Sequence, residues 1–278
     1  MFGTSGIRGI YGKEITEELA KGVANFFVEN SLVIGRDLRR TGVSLRNAVS
    51  EGVLEAGADV IDIGIAPTPT VAFAAKRHGC RAIMITASHN PPEYNGFKLI
   101  ENGKEIGKKL EKEVQKNFGS KKTSEEKGTY YFDCDAVDEH KELVFSMVDS
   151  RTIAKKKPKI LVDCNGAACA ITPAMLTDLG CRVTSVNASF ECFNRASEPS
   201  RENLDYLCNL VKAVGADFAI AHDGDGDRCT IIDENGNMLP LDVQLAMMID
   251  HELSDKNKKI VSTVEASNLS TTGSAAIM

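Results

Sequence analysis

The sequence has no hydrophobic run long enough to cross a membrane and no excess of positive charge. A membrane-spanning helix needs about 20 consecutive apolar residues, and the apolar runs here are far shorter. The segment from Met1 to Gly6 lacks the charged head and apolar stretch of a secretory signal. The net charge of −6 argues against a general nucleic-acid binder. We therefore expect a cytoplasmic protein with no membrane and no nucleic-acid partner.

Paired cysteines are missing as well. The 8 cysteines are scattered between Cys80 and Cys229, and none forms a CxxC pair. Structural zinc sites and disulfide frameworks both depend on regular cysteine spacing, so we interpret these residues as mostly buried, reduced thiols. The composition is that of an ordinary globular protein, with 42% hydrophobic and 26% charged residues. A length of 278 residues suggests about two domains.

Strand-like and helix-like segments alternate along the chain, which predicts an α/β protein with two consecutive domains and mostly parallel, mixed sheets. Thr16 is predicted to N-cap a helix over 15–30. The other predicted helices cover residues 42–56, 67–78, 107–118, 135–148, 170–179, 204–214 and 241–253. The predicted strands cover residues 31–34, 59–63, 81–86, 97–100, 159–163, 182–186, 217–221, 229–233 and 259–263.

Residues 223–228 read Asp-Gly-Asp-Gly-Asp-Arg and place a carboxylate at every second position. Like charges this close resist ionising together unless a cation lies among them, and hard oxygen ligands favour Mg²⁺ or Ca²⁺. An EF-hand would need a glycine in place of Arg228, and helices where the flanks are strand-like. A solvated acidic turn is the other alternative. The pattern favours a divalent-metal site at Asp223, Asp225 and Asp227, beside an arginine that can anchor a carboxylate or phosphate.

Ser88 follows a predicted buried strand and precedes His-Asn-Pro-Pro. Loops at strand ends are the usual place for catalytic groups in parallel sheets. Taken alone, Ser88 also fits a turn or a helix N-cap, and the GxSxG nucleophile motif is absent. Arg8 and Arg36 lie on glycine-rich segments that suit phosphate recognition, or equally a structural salt bridge. Lys98 either supplies a point charge or a proton near Ser88, or is a solvated lysine on a strand.

Three segments together resemble the α-D-phosphohexomutase family, which includes phosphoglucomutases, phosphomannomutases and phosphoglucosamine mutases. They run from Gly3 to Gly9, from Thr86 to Lys98 and from Asp223 to Arg228, in the family's order and at about its spacing. The segment from Glu198 to Leu204 resembles the one that precedes the metal loop in the family. The resemblance covers residues 1–266.

The resemblance implies that Ser88 is phosphorylated and donates its phosphoryl group. Asp223, Asp225 and Asp227 would bind Mg²⁺ together with an oxygen of the Ser88 phosphate, so Ser88 counts among the metal-binding residues. The reaction would pass the phosphoryl group to a hexose phosphate, form a hexose 1,6-bisphosphate and return the other phosphate to the serine. Its result would be the interconversion of hexose 1- and 6-phosphates.

Other residues match family positions around the transferring group. Arg8, His89 and Lys98 would lie close to the phosphoryl group, with His89 and Lys98 as candidates for proton transfer. Arg228 would stabilise the metal loop and the phosphoserine. The sugar preference among glucose, mannose and glucosamine phosphates is not encoded in these motifs.

The resemblance divides the chain into domain I with the serine loop (1–152), domain II with the metal loop (153–256) and a truncated start of domain III (257–278). A basic stretch, Lys155 to Lys159, marks the first boundary. It resembles a nuclear-localisation tract, and a solvated linker is the favoured interpretation. Two sugar- and phosphate-reading motifs of the family, Gly-Glu-x-Ser-Gly-His and Arg-x-Ser-x-Thr-Glu-Pro, do not occur in this sequence. We therefore expect a fragment, an interrupted gene product, or half of an enzyme completed by a second chain.

Three functions remain open on the sequence alone. The first is a phosphohexomutase, or its catalytic half, that uses Mg²⁺ and a phosphoserine. The second is an inactive or regulatory protein that binds sugar phosphates. The third is a metal-dependent, phosphatase-like hydrolase in which water accepts the phosphoryl group. Intact Ser88 and the aspartates favour the first and third, while the absent recognition motifs weaken the first.

Overall fold

The computed structural model describes residues 2–3 and 5–252, and this part of the chain forms two helix-covered β-sheets. The strand predicted over 259–263 and the predicted domain III segment, 257–278, lie outside the described residues. None of the described helices is long and apolar enough to span a bilayer. The α/β class predicted from the alternation of segments is confirmed.

The strands of the first sheet are β1 (Ile7–Ile10), β2 (Ser31–Arg36), β3 (Asp59–Ile65), β4 (Arg81–Ile85), β5 (Tyr94–Glu101), β6 (Lys104–Glu105) and β7 (Tyr130–Phe132). Their order is β1-β5-β4-β2-β3-β7, with β6 paired to β5. The central pairs β2–β3, β2–β4 and β3–β7 are parallel, whereas β5 is antiparallel to β1 and β4. The carboxyl ends of β2, β3 and β4 therefore open at one edge of the sheet.

The helices of this half are α1 (Glu17–Phe27), α2 (Gly42–Glu55), α3 (Thr68–His78), α4 (Lys108–Asn117), α5 (Ala136–Met147) and α6 (Ser150–Lys156). The predicted N-cap of α1 is confirmed, because the Thr16 hydroxyl accepts a hydrogen bond from the backbone of Leu19 at 3.1 Å. Side chains alternate across each strand. Leu32 and Ile34 pack with the buried residues of α1 and α2, while Val33 packs with α3 on the other face.

The second sheet contains β8 (Lys159–Asp163), β9 (Arg182–Val186), β10 (Phe218–His222) and β11 (Cys229–Asp233), in the order β11-β10-β8-β9. Its helices are α7 (Thr172–Asp178), α8 (Arg201–Val214) and α9 (Leu241–Glu252), with a 3₁₀ turn at Ala167–Ala170. β10 and β11 form an antiparallel hairpin, and the other pairs are parallel. Three of the cysteines, Cys164, Cys181 and Cys208, are buried here, fewer than expected from the sequence.

Several elements differ from the sequence prediction. β1, β6, β7 and α6 were not predicted, nor was the 3₁₀ turn that precedes α7, whereas the helix predicted over 170–179 is present as α7. The linker predicted over Lys155–Lys159 is shorter than expected, because α6 extends to Lys156 and β8 begins at Lys159, whereas Lys155, Lys156 and Lys157 are exposed as predicted. The Asp149 carboxylate caps α6 by accepting from the backbone of Thr152. Basic residues in the last turn of a helix are favoured by its dipole, which explains why this stretch is ordered.

Candidate active site

Ser88 lies in the loop between β4 and β5, where it is 2% exposed. Its φ of 50° falls in the left-handed region, which costs a non-glycine residue roughly 1–2 kcal/mol. Thr86 supports this conformation: its hydroxyl accepts from the Ser88 backbone at 2.8 Å and donates to the Asp37 carboxylate at 2.7 Å. The backbone of Ser88 is therefore held by the buried side chain of Thr86, which is in turn bonded to Asp37.

Arg39 is the main support of this loop and is 3% exposed. Its guanidinium donates to the backbone carbonyls of Ser88, Asn90, Pro91 and Tyr94 at 2.6–2.9 Å. Its Nε donates to Asp37 at 3.1 Å. All five guanidinium N–H groups are thus directed at a carboxylate or at the carbonyls of one loop. No lysine could reproduce this planar pattern.

The loop that carries the three aspartates connects β10 to β11. Because both flanks are strands, the EF-hand alternative is excluded. Asp223 and Asp225 are fully buried, and the side chain of Asp227 is 29% exposed. One carboxylate oxygen from each residue lies within 4.8 Å of the others. The predicted convergence of the aspartates on one point is therefore present.

Gly224 explains how the two loops approach so closely. A Cβ at this position would lie 2.8 Å from the Ser88 carbonyl oxygen and 2.3 Å from the hydroxyl oxygen of Ser197. The Ser197 hydroxyl itself donates to the Ser88 carbonyl at 2.6 Å. As a result, the Ser88 hydroxyl can donate to the Asp223 carboxylate at 2.8 Å. The absence of a side chain at residue 224 is what allows this contact.

Two basic side chains neutralise the aspartates. The ammonium of Lys98 lies 2.7 Å from Asp225 and 2.5 Å from Asp227, and its side chain is 2% exposed. The guanidinium of Arg228 contacts Asp223 at 3.3 Å and donates to the Ser88 hydroxyl oxygen at 3.1 Å. Lys98 thus occupies a position between two carboxylates, and Arg228 joins the third to the serine.

Burial and charge act differently on the aspartates. Burial, followed by the charges of Asp225 and Asp227, raises the pKa of Asp223 to about 7. Burial also disfavours the ionised form of Asp225, but the neighbouring Lys98 ammonium outweighs it and lowers the pKa of Asp225. Burial alone would lower the pKa of Lys98, yet the carboxylates of Asp225 and Asp227 raise it. Lys98 is therefore a cation, whereas Asp223 ionises less readily than an ordinary aspartate.

The aspartates fit a hard divalent cation. Carboxylate oxygens are the ligands that Mg²⁺ prefers, and Oδ1 of Asp225 is buried with no hydrogen-bond partner in the part of the chain that the structure describes. An unpaired buried carboxylate oxygen is costly. The ammonium between Asp225 and Asp227 shows that the same place accommodates positive charge.

His89 projects to the exposed side of the serine loop. Its Nδ1 lies 3.5 Å from the Ser88 hydroxyl oxygen and 2.5 Å from the Arg228 guanidinium. A guanidinium only donates, so we assign Nδ1 as the acceptor and Nε2 as the protonated nitrogen. Burial and the charge of Arg228 lower the pKa of His89. Glu198 lies 3.6 Å from Arg228 and 3.9 Å from Nδ1 of His89.

A cavity of about 650 Å³ opens above these groups. It is lined by Gly3, Ser5, Arg8, Ser88, His89, Asn90, Tyr94, Lys98, Asp227 and Arg228. Arg8 donates to the side chain of Asn90 at 3.4 Å, and its Nε is buried without a partner among the described residues. The structure thus brings Ser88, the predicted basic residues and the aspartates together. Arg36 is the exception, since it does not line the cavity and donates to the Asp37 carbonyl.

The sequence analysis missed three residues that shape the site. Arg39 and Ser197 hold the backbone of the serine loop, and Thr68 contacts Asp225. Arg39 lies 49 residues from Ser88, and Thr68 lies 157 residues from Asp225. The sequence pointed only to the Gly-Arg-Asp-Leu-Arg segment, residues 35–39, and there the prediction chose Arg36, whereas Arg39 contacts the serine loop.

Known protein families match both halves of the chain. Residues 1–125 match the family model described as phosphoglucomutase/phosphomannomutase, alpha/beta/alpha domain I, and residues 137–236 match domain II of the same family. A phosphoglucomutase/phosphomannomutase from Thermococcus kodakarensis is 39% identical over 97% of this chain and 63% of its own length. A phosphoglucosamine mutase from Methanococcus vannielii is 40% identical over 96% of this chain and 61% of its own length. The chain thus spans less than two thirds of these relatives.

Solved structures share the fold. A phosphoglucomutase/phosphomannomutase family protein from Burkholderia thailandensis aligns with a TM-score of 0.80 and 26% identity, covering 99% of this chain and 65% of that one. The open form of parafusin, a phosphoglucomutase from Paramecium, aligns with a TM-score of 0.77 at 17% identity, over 99% of this chain and 61% of that one. At that identity the second match concerns the fold alone.

Proposed function

Because this chain belongs to the phosphoglucomutase/phosphomannomutase family, we propose that it transfers a phosphoryl group between Ser88 and a hexose phosphate. The donor is a phosphorylated Ser88, the acceptor a sugar hydroxyl, and the product a hexose 1,6-bisphosphate. The bisphosphate then reorients in the site and returns its other phosphate to the serine. The net reaction interconverts hexose 1-phosphate and hexose 6-phosphate.

One observation carries this proposal: the Ser88 hydroxyl lies 2.8 Å from Asp223 and 3.1 Å from Arg228, at the floor of an open cavity. Phosphoryl transfer depends mainly on positioning and on stabilising the charge of the equatorial oxygens. The fixed loop of Ser88 supplies the first requirement. The cations around it, Arg228 and Arg8, supply the second.

We propose that Asp223, Asp225 and Asp227 hold Mg²⁺ together with an oxygen of the Ser88 phosphate. Such an ion would neutralise charge on the transferring group. Lys98 lies against two of these carboxylates, and its raised pKa keeps it protonated. When the phosphoryl group leaves Ser88 Oγ, that oxygen needs a proton, and we assign its delivery to Lys98.

His89 has a separate part in this scheme. Its Nδ1 accepts from Arg228, which leaves the Nε2 proton free to bind a phosphate oxygen. We propose that His89 orients the phosphoryl group and receives the proton of the attacking sugar hydroxyl when Arg228 turns to the phosphate. Arg8, whose Nε has no partner among the described residues, lines the same cavity and binds the same phosphate.

The domain division and the source of sugar recognition are also proposals. We place the boundary between domains I and II at residues 152 and 153, between the two sheets. The cavity walls formed by the described residues carry the groups for phosphoryl transfer. We propose that the groups that bind the sugar ring and the second phosphate come from sequence beyond residue 252 or from a second chain.

Phosphorylation of Ser88 is the direct test. The protein is incubated with glucose 1,6-bisphosphate and Mg²⁺, and peptide mass spectrometry locates the added phosphate. We expect a phosphopeptide that contains Ser88, and none in Ser88→Ala. Absence of that peptide from the wild-type protein would refute the phosphoserine mechanism. Release of the Ser88 phosphate to water, rather than its transfer to glucose 6-phosphate, would favour the hydrolase alternative.

A further inference from the structure

The first turn of α3 meets the metal loop end on. The Thr68 backbone N–H donates to the Asp225 carbonyl at 2.9 Å, and the Thr68 hydroxyl donates to Oδ2 of Asp225 at 2.5 Å. Pro67 precedes the helix and provides no capping side chain. Asp225 therefore accepts hydrogen bonds at the N-terminus of α3, where backbone N–H groups have no partner within the helix. The helix dipole favours its negative charge at this end.

The two oxygens of the Asp225 carboxylate have different surroundings. Oδ2 receives the Thr68 hydroxyl and, at 2.7 Å, the Lys98 ammonium. Oδ1 has no hydrogen-bond partner among the described residues, although Asp225 is fully buried. A carboxylate held through one oxygen presents the other in a fixed direction. One carboxylate oxygen of Asp225 lies within 4.8 Å of a carboxylate oxygen of Asp223 and of Asp227.

We propose that Thr68 is a positioning residue that orients Asp225 so that its Oδ1 binds the divalent cation. This inference rests on the metal site proposed above and adds to it Thr68, the first residue of α3 in the half of the chain that contains the first sheet. Groups that hydrogen-bond a metal ligand fix its orientation, and losing one typically weakens metal binding about 10- to 100-fold. Thr68 is 9% exposed, so water has little room to replace its hydroxyl.

The geometry around Thr68 makes the contact specific. Pro67 lies against Gly226, where a Cβ would come within 3.1 Å of the proline side chain, and Gly226 has a φ of +66°. The metal loop is thus packed directly on the start of α3. A Thr68 rotamer that removes the hydroxyl from Asp225 would direct a methyl group at a buried carboxylate, which is unfavourable.

Metal affinity of the full chain tests the proposal without using catalysis. Isothermal titration with Mn²⁺ gives the dissociation constant for wild type, Thr68→Val, Thr68→Ala and Thr68→Ser. We expect 10- to 100-fold weaker binding for Thr68→Val, which keeps the shape, and for Thr68→Ala, which adds no new contact. Thr68→Ser retains the hydroxyl and should bind within a few-fold of wild type.

Thr70→Val is the matched control on the same helix turn. Thr70 is fully buried, and its hydroxyl contacts His140 rather than the metal loop. It should leave Mn²⁺ affinity unchanged. Equal affinity in wild type, Thr68→Val and Thr68→Ala would overturn the role of Thr68 while leaving the metal site intact. A wild-type protein that binds no Mn²⁺ would overturn the site and this role together.

Discussion

At the scale of single residues, Arg39 has the largest share in shaping the site, although it never faces the cavity. It joins a buried carboxylate to the carbonyls of the serine loop and lies 5.5 Å from the ring of Phe193, which belongs to the second sheet's half of the chain. Hydrogen bonds from a charged donor contribute about 1.5–3 kcal/mol. Several of them on one loop can offset the left-handed conformation of Ser88 many times over.

We expect Arg39→Lys to lower the free energy of unfolding by about 2–4 kcal/mol and to slow phosphorylation of Ser88. A lysine keeps the charge but offers three donors in place of five. Urea denaturation and the time course of phosphopeptide formation measure the two effects. Arg40→Lys is the control, because Arg40 is an exposed neighbour on the same loop. Equal phosphorylation rates in both variants would contradict this role.

The site residues that the sequence predicted are those that lie within short motifs. Ser88, His89 and Lys98 stand close together in the chain, and the three aspartates occupy alternate positions between residues 223 and 227. Arg39 and Thr68 escaped because their partners are distant in sequence, and Arg39 acts mostly on backbone carbonyls. Any residue type has a carbonyl, so such partners leave no pattern in a single sequence.

At the scale of elements, the sequence predicted every described helix except α6 and every described strand of five or more residues, and it missed the shorter strands β1, β6 and β7. β2 reads as an apolar run because both of its faces are covered by helices. β7 has only three residues, all of them exposed, and follows a polar segment. Its pairing with β3 therefore depends on the sheet edge already being present, which no local pattern encodes. α6 was missed because its lysines resemble a linker.

His140 on α5 makes the contact between two helices sensitive to pH. It stacks on Phe73 of α3 at 5.3 Å and hydrogen-bonds Thr70 at 2.9 Å, and burial lowers its pKa. Unfolding restores its ordinary pKa of 6.5, so the unfolded chain binds the proton more readily. The stabilisation is therefore complete above about pH 6.5 and is lost as the pH falls below it.

As the pH is lowered from about 6.5 to 5, we expect the melting temperature of wild type to fall more steeply than that of His140→Asn. Asparagine does not titrate, but it can still form a hydrogen bond with Thr70. Thermal unfolding monitored by circular dichroism at a series of pH values gives both curves. Comparison with the variant removes the contribution of the other titrating groups. Parallel curves over this interval would show that the burial of His140 has no influence on stability.

At the scale of the whole molecule, polar groups of the site itself join the two halves. Ser88 contacts Asp223 and Ser197, and Lys98 contacts Asp225. The apolar clusters lie mostly within one half each, and Phe145 and Ile153 extend the second half's core through α5 and α6. Association of the halves therefore forms the site, alongside α5, which packs on α3 and contributes Phe145 to the second half's core.

We expect Gly224→Ala to separate the halves, because its Cβ would collide with the Ser88 carbonyl and the Ser197 hydroxyl. The radius of gyration from X-ray scattering should increase, and calorimetric unfolding should divide into two transitions. Gly107→Ala provides the control, since a Cβ there meets open space. An unchanged radius and a single transition in Gly224→Ala would contradict the joining role of these contacts.

The distance along the chain between the serine loop and the aspartates has a consequence for synthesis. Ser88 precedes its partner Asp223 by 135 residues, which a ribosome adds in roughly 7–27 seconds at typical elongation rates. Arg39, Asp37 and Thr86 all precede Ser88 and leave the ribosome first. The Arg39 contacts to the serine loop can therefore form before any aspartate of the metal loop exists. The order of translation keeps Ser88 apart from Ser197 and from the aspartates until the second half of the chain has been made.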